Sequence, residues 1–203
     1  MPLGSPVRDR RAERHEATRS EILDAAWVLA RRDGLAGLSL RDLASAVGMQ
    51  APSLYSYFDS KHAIYDALFK RGYEELARRD AAFDPAPGAA AFRSRTRAFL
   101  LFCTEDPARY QLLFQRTLPG FTPSDDSYAA SVRVLERAYA GLAAAGITTD
   151  AHRDLFTAMA LGLADQQLAN DPGGDRWLRL VDEAADMLLA HVNQATPKRG
   201  RKS

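Results

Sequence analysis

Cysteine is all but missing from these 203 residues: Cys103 stands alone, so no intramolecular disulfide can form, and a reducing compartment fits that usage. Its neighbours in AFLLFCTED are Leu and Phe at helical spacing, which reads as a buried, inert thiol. The four histidines, His15, His62, His152 and His191, are scattered singly, and none pairs with another or with Cys103 at metal-ligand spacing. Neither a metal nor a cofactor is expected. Long apolar runs are also missing, because Arg, Asp or Gln interrupts each well short of the roughly 20 residues a bilayer span requires. The opening MPLGSPVRDRRAERHEATRS has charge but no apolar h-region, so export is not expected and a cytoplasmic location is. No Gly-rich phosphate loop occurs, nor any Ser/His/Asp or Cys/His set at telling spacing. The acidic pairs Glu74-Glu75 and Asp125-Asp126 are adjacent and would diverge on a helix. The expectation is therefore a protein that is not an enzyme.

Net charge is only +1, but it is unevenly spread. Residues 1–71 carry 11 Lys/Arg against 9 Asp/Glu, residues 81–197 carry 10 against 14, and the basic tail KRGRK follows. Basic ends around an acidic middle permit nucleic-acid contact by the N-terminal part.

Strand patterning is nearly absent, and Ala, Leu, Arg and Glu dominate with apolar residues recurring at three and four. The pattern predicts an all-α chain of nine helices. The first spans Ala17 to Asp33, with Ile22, Ala26, Leu29 and Ala30 inward and Gly34 ending it. The second starts at Ser39, with Asp42 completing a capping-box pattern, and stops at Gly48. The third is Ala51 to Phe58, with Pro52 in its first turn. The fourth follows the N-cap Ser60, from Lys61 to about Ala82. FDPAPG, Phe83 to Gly88, reads as a hinge. Five further helices are predicted: Ala89–Thr104, one from Asp106-Pro107 ending before Leu118, Asp125–Ala145, Asp150–Asn170 and Asp175–Gln194. The organisation expected is a flexible basic arm (1–16), a helix-turn-helix unit (17–72), a larger helical body (73–195) and a disordered basic tail (196–203).

The stretch GMQAPSLYSYFDSK crowds two tyrosines, a phenylalanine and three serines into fourteen positions. Two short helices joined by a Gly-containing turn are the arrangement of a helix-turn-helix. Leu40, Leu43, Ala44, Val47, Leu54 and Phe58 can pack on the first helix, which leaves Gln50, Ala51, Ser53, Ser56 and Tyr57 outward and Tyr55 at the edge. Hydroxyls and an amide suit base edges and phosphate oxygens, and a helix N-terminus offers free amides to phosphate. Tyr55 reads either as core or as surface. Arg10, Arg11, Arg14 and Arg19 read either as a solvated charge run or as an arm reaching DNA. The basic tail reads as a solubilising end or as a second binding element.

DLASAVGMQAPSLYSYFDSKHAIYDAL, with RSEILDAAWVLARRDGLAGLSLRDLA before it, resembles the DNA-binding signature of the TetR/AcrR family of bacterial transcriptional repressors over about residues 17–72. The resemblance implies that the third helix enters the major groove. Ser39 and Arg41 would lie near phosphate or a base. Gln50, Ala51, Pro52, Ser53 and Ser56 would face bases, and Tyr55, Tyr57 and Lys61 would bind the DNA backbone. Two departures stand out: the Lys-Gly pair common at the head of that helix is Ala51-Pro52 here, and the common histidine is Tyr57.

The same resemblance implies a C-terminal body that binds a small inducer and dimerises through its last two helices. The residues fit a dimer stripe of Leu155, Met159, Leu163 and Gln167 on one helix and Trp177, Leu180, Val181, Met187, Leu188 and His191 on the next. Small residues Gly162, Ala164 and Ala185 would admit close approach. For a largely apolar inducer the candidates are Phe99, Phe102, Cys103, Tyr110, Phe114 and Tyr139, with Arg109 and Gln166 as polar anchors. Gly72 and FDPAPG would absorb the motion linking inducer to DNA. The expected partners are thus a palindromic double-stranded operator, a second copy of the chain and an unknown small molecule, with no membrane; the setting would be the bacterial cytoplasm, at the nucleoid when bound to DNA. The rival reading is a helical protein-binding scaffold without sequence-specific DNA binding.

Overall fold

The computed structural model of the chain describes residues 10–82 and 87–195, and among them nine α-helices and no strand. Residues 83–86 of the predicted hinge and the basic tail lie outside the described residues. The helices are α1 (Arg10–Gly37), α2 (Leu40–Ala46), α3 (Ala51–Leu54), α4 (Lys61–Ala81), α5 (Ala89–Glu105), α6 (Pro107–Phe114), α7 (Asp125–Ala144), α8 (Asp150–Asn170) and α9 (Val181–Ala195), the last entered through a 3-10 turn at Leu178–Leu180.

Local chemistry explains most of the boundaries. Side-chain oxygens of Ser39, Ser60, Asp106, Ser124 and Thr149 each accept a hydrogen bond from a first-turn amide of the helix that follows. Such caps hold donors that would otherwise be unpaired, at about 1 kcal/mol apiece. Gly48, between α2 and α3, has φ 69, a left-handed conformation that glycine adopts without a Cβ clash. Gly34 breaks the regular run of α1 at φ 76, as its position predicts, and one further helical turn follows it.

Three boundaries differ from the sequence reading. α1 begins at Arg10 rather than Ala17, so residues 10–16, predicted as part of a flexible arm, are helical. They carry no apolar stripe, which is why periodicity does not reveal them. The third helix is a single turn, Ala51–Leu54, and Tyr55–Tyr57 continue it as hydrogen-bonded turns. Asp175–Trp177 precede the final helix because Asp171 accepts from the Arg176 amide and Gln167 from the Trp177 amide, which holds the chain in a turn.

The principal core runs without interruption from the N-terminal helices into the body. It joins Ile22, Ala26 and Leu29 of α1, Leu43 of α2, Leu54, Phe58, Leu68 of α4, Phe102 and Cys103 of α5, and Tyr110 and Leu113 of α6. Gly72 is part of this seam: a Cβ there would sit 2.9 Å from Leu113 Cδ2. The glycine predicted to absorb motion is packed tightly against Leu113 of α6. A polar tie lies alongside, where Arg31 of α1 donates from Nε to Asp106 at 2.8 Å. Two smaller cores close the far end, one around Leu142, Ile147 and Leu188 and one around Leu100, Ala160 and Val181.

Candidate nucleic-acid interface and interior cavity

Leu54 and Phe58 are buried to 1% and 4% exposure and anchor the α3 turn on α1. Their burial leaves Tyr55 and Ser56 outward between them. Gln50, Pro52, Ser53, Tyr55 and Ser56 are exposed together on one tip of the molecule, and Ala51 is half-buried against the core. Tyr55 is 55% exposed, so of its two readings the surface one is correct. Tyr57, read as outward, is half-buried: its ring stacks on His15 with centroids 4.6 Å apart. The Ser56 hydroxyl donates to Ser53 O at 2.7 Å, which stiffens the turn. At the edges, Ser39 caps α2, Arg41 is exposed, and Lys61 Nζ donates to Ala36 O at 2.9 Å. Lys61 therefore ties α4 to the end of α1 while standing beside the tip.

Two residues that support this tip are not read as doing so from sequence: His15 is weighed only as a metal ligand, and Arg19 as part of a charge run or a DNA-reaching arm. His15 stacks on Tyr57, and the Arg19 guanidinium lies 4.8 Å from the Phe58 ring centre. They are four positions apart, one helical turn, and so share a face of α1. That spacing would have paired them, had the helix been extended back to Arg10.

A partly open cavity of about 370 Å³ lies among α4, α5, α7 and α8, with Phe114 of α6 also on its wall. Phe99, Phe114 and Tyr139 line it, together with Tyr73, Phe92 and Phe156. The other ligand candidates are elsewhere. Phe102 and Cys103 sit at 1% and 0% exposure in the principal core, and burial pushes the Cys103 thiol far above its ordinary range. Arg109 is buried with its guanidinium 3.8 Å from the Phe102 ring centre, donates to Phe102 O, and is lowered by that burial. The Tyr110 hydroxyl donates to Asp165, and Gln166 is exposed and bonded to Asn170. These five share helical spacing with the cavity residues, but none of them lines the cavity. Tyr73, whose hydroxyl donates to Leu113 O, is held above the usual phenol range by burial. Among the described residues no group of three His, Cys, Asp or Glu side chains could hold a metal ion, and no helix is long and apolar enough to cross a membrane.

The dimer stripe divides in two. Leu155 and Met187 are 49% and 68% exposed, His191 is exposed, and Met159 and Leu163 are half-buried. Val181 and Leu188 instead face inward at 0% and 7%, because Val181, Ala185, Leu188 and Val192 form the α9 stripe that packs on the body. Gln167 is buried at 2%, accepting from the amides of Trp177 and Leu178, while Trp177 and Leu180 are half-buried. Of the small residues, Ala164 and Ala185 are internal, and only Gly162 is outward, with open space where a Cβ would stand. Both faces of α9 carry apolar residues, which is why the stripe could not be divided by composition.

Residues 22–68 match the family model described as bacterial regulatory proteins, tetR family. The chain is 29% identical over 147 residues to HTH-type transcriptional regulator Rv1816 of Mycobacterium tuberculosis, a match covering 69% of this chain and 62% of that relative. It thus spans less than two thirds of that relative's length. A tetR-family transcriptional regulator from Streptomyces coelicolor has the same fold at TM-score 0.66 and 20% identity, covering 92% of each chain. FadR from Bacillus subtilis, solved in complex with stearoyl-CoA, aligns at TM-score 0.63 and 16% identity over 84% of this chain and 97% of its own.

Proposed function

We propose that this chain, whose residues 22–68 match the model described as bacterial regulatory proteins, tetR family, is a repressor that binds a palindromic operator as a homodimer and is released by a small, largely apolar inducer. The observation that carries the reading is the tip of α3: Gln50, Pro52, Ser53, Tyr55 and Ser56 stand exposed over the buried anchors Leu54 and Phe58. In this reading Gln50, Ala51, Pro52, Ser53 and Ser56 enter the major groove, and Tyr55, Tyr57, Lys61, Ser39 and Arg41 meet the backbone. The half-buried Tyr57 presents an edge steadied by His15.

One such tip reads too few bases for useful specificity, and two copies related by a twofold axis read half-sites about 34 Å apart or a multiple of that. The outward residues Leu155, Met159, Leu163, Met187 and His191 form the pairing face in this proposal. The cavity supplies the inducer site, and the stearoyl-CoA in FadR gives one instance of an apolar chain bound by the same fold. α4 forms one wall of the cavity and begins beside the tip, so a ligand with unequal affinity for two α4 positions would move the tips apart. The setting proposed is the bacterial cytoplasm, at the nucleoid when bound.

Selection of bound duplexes from a random pool, at stated salt, tests the reading. A consensus with two inverted half-sites and affinity that falls steeply with salt is expected. Recovery of unrelated sequences, or retention indifferent to salt, would favour the protein-binding scaffold instead.

A further inference from the structure

The cavity is apolar at one end and charged at the other. α4 and α7 run in the same direction, since Asp66 meets Ser124 and Ser127, Lys70 meets Asp126 and Asp80 meets Arg137. Tyr73, Phe114 and Tyr128 therefore line the end near the start of α7, and Asp80 and Arg95 line the end near its finish. There the Asp80 carboxylate accepts from Arg95 Nη2 at 2.7 Å on one oxygen and from Arg137 Nε at 3.3 Å on the other. Among the described residues it is the carboxylate paired with either arginine, so the cluster carries one positive charge in excess. Arg79, also on the wall, is occupied by Glu75 and Glu105. The Arg95 guanidinium lies against Gly141 of α7, where a Cβ would oblige it to shift. The Arg95 and Asp80 side chains are 23% and 21% exposed and Arg137 is 54% exposed, so the Asp80–Arg95 pair is the shielded part of the cluster.

We propose that the cavity binds an apolar monocarboxylate whose carboxylate replaces Asp80 on Arg95. The inference rests on the reading of the cavity as an inducer site and names the ligand class and the switch. A carboxylate suits the planar fork of the Arg95 guanidinium and the surplus charge, whereas an ammonium would meet only Asp80, a carboxylate already held by Arg95 and Arg137. The exchange also explains transmission. Asp80 lies at the C-terminal end of α4, roughly 29 Å along the helix from Lys61 beside the DNA-reading tip. The Asp80 pairs to Arg95 and Arg137 hold that end of α4 to α5 and α7, and a competing carboxylate releases it. Asp80 is in effect an internal competitor for the ligand.

The test titrates decanoate, decanol and decylamine into the full chain by calorimetry, with the Asp80→Asn and Arg95→Gln variants in parallel. A cavity of 370 Å³ is at the small end for ligand sites, which sets the short chain length. Decanoate is expected to bind about tenfold more tightly than decanol, with decylamine weakest. Arg95→Gln should erase that preference and leave decanol affinity in place. Asp80→Asn should tighten decanoate by several fold, a gain that misfolding cannot produce. Equal binding of decanoate and decanol, a preference for decylamine, or a decanoate preference that survives Arg95→Gln would overturn the carboxylate assignment while the cavity stands as a ligand site. Failure of all three to bind at millimolar concentration would overturn the assignment and the inducer-site reading together.

Discussion

Replacing Asp106 with alanine removes two distinct interactions whose contributions can be separated. Its carboxylate caps α6, accepting from the Arg109 amide at 3.1 Å, and accepts from Arg31 Nε of α1 at 2.8 Å. Losing an acidic cap costs about 1 kcal/mol. The pair with Arg31 would be worth more in a dry interior, but the Arg31 side chain is 51% exposed and rehydrates when its partner goes. That exposure limits the pair to about 1 kcal/mol. The expected total for Asp106→Ala is about 2 kcal/mol, or about 1 M in urea midpoint at a slope of about 2 kcal/mol per M. Asp106→Asn keeps an oxygen for the Arg109 amide and loses mainly the charge, so about half that shift is expected. Urea unfolding followed by circular dichroism at fixed protein concentration measures both, and a cycle with Arg31→Ala isolates the pair. An Asp106→Ala midpoint indistinguishable from the parent, or Asp106→Asn as damaging as alanine, would refute the division between cap and tie.

The α3 turn separates stability from recognition: Leu54→Ala should cost about 3 kcal/mol and abolish operator binding through unfolding of the tip, whereas Tyr55→Ala should leave the melting temperature within a degree or two of the parent and still weaken binding in a gel-shift titration. Cys103 has a raised pKa because burial disfavours its thiolate, so it stays protonated through alkaline pH; iodoacetamide at pH 8.5 should label it only after denaturant is added, as intact-mass spectrometry would record. Met187→Glu places a charge on the proposed pairing face without touching the core, so sedimentation velocity should show dissociation with an unchanged helical spectrum; a variant that sediments like the parent would remove Met187 from the interface.

The fold was legible wherever one residue type settles one local question. Ser39, Ser60, Asp106 and Ser124 announce their helices because a free hydroxyl or carboxylate before an apolar period has a donor to satisfy, and each does so in the structure. The recognition tip was legible because Leu54 and Phe58 are four apart and bury the same face. Tyr55 resolves to the surface, one of its two readings, while Tyr57, expected outward, is half-buried, since a one-turn helix has too few residues for periodicity to orient a side chain and a distant partner, His15, decides. The cavity was only half legible: Phe99 and Phe102 are three apart on α5, yet one lines the cavity and the other lies beneath Arg109, a choice made by neighbouring helices. Asp80 and Arg95, unremarkable in sequence, gain meaning only from being brought together at its end.

The continuous packing between the two halves constrains how chains of this fold are recombined. Tyr110 and Leu113 of α6 belong to the same apolar cluster as Ile22 and Leu54, and Leu113 lies against the bare backbone of Gly72. A chimera that grafts a foreign reading head at a cut within α4 would set unfamiliar side chains against α6 and leave Arg31 and Asp106 mismatched. Successful transplants should therefore carry the α6 counter-surface with the donor head, and bulkier residues at position 72 should be tolerated only where residue 113 shrinks to match.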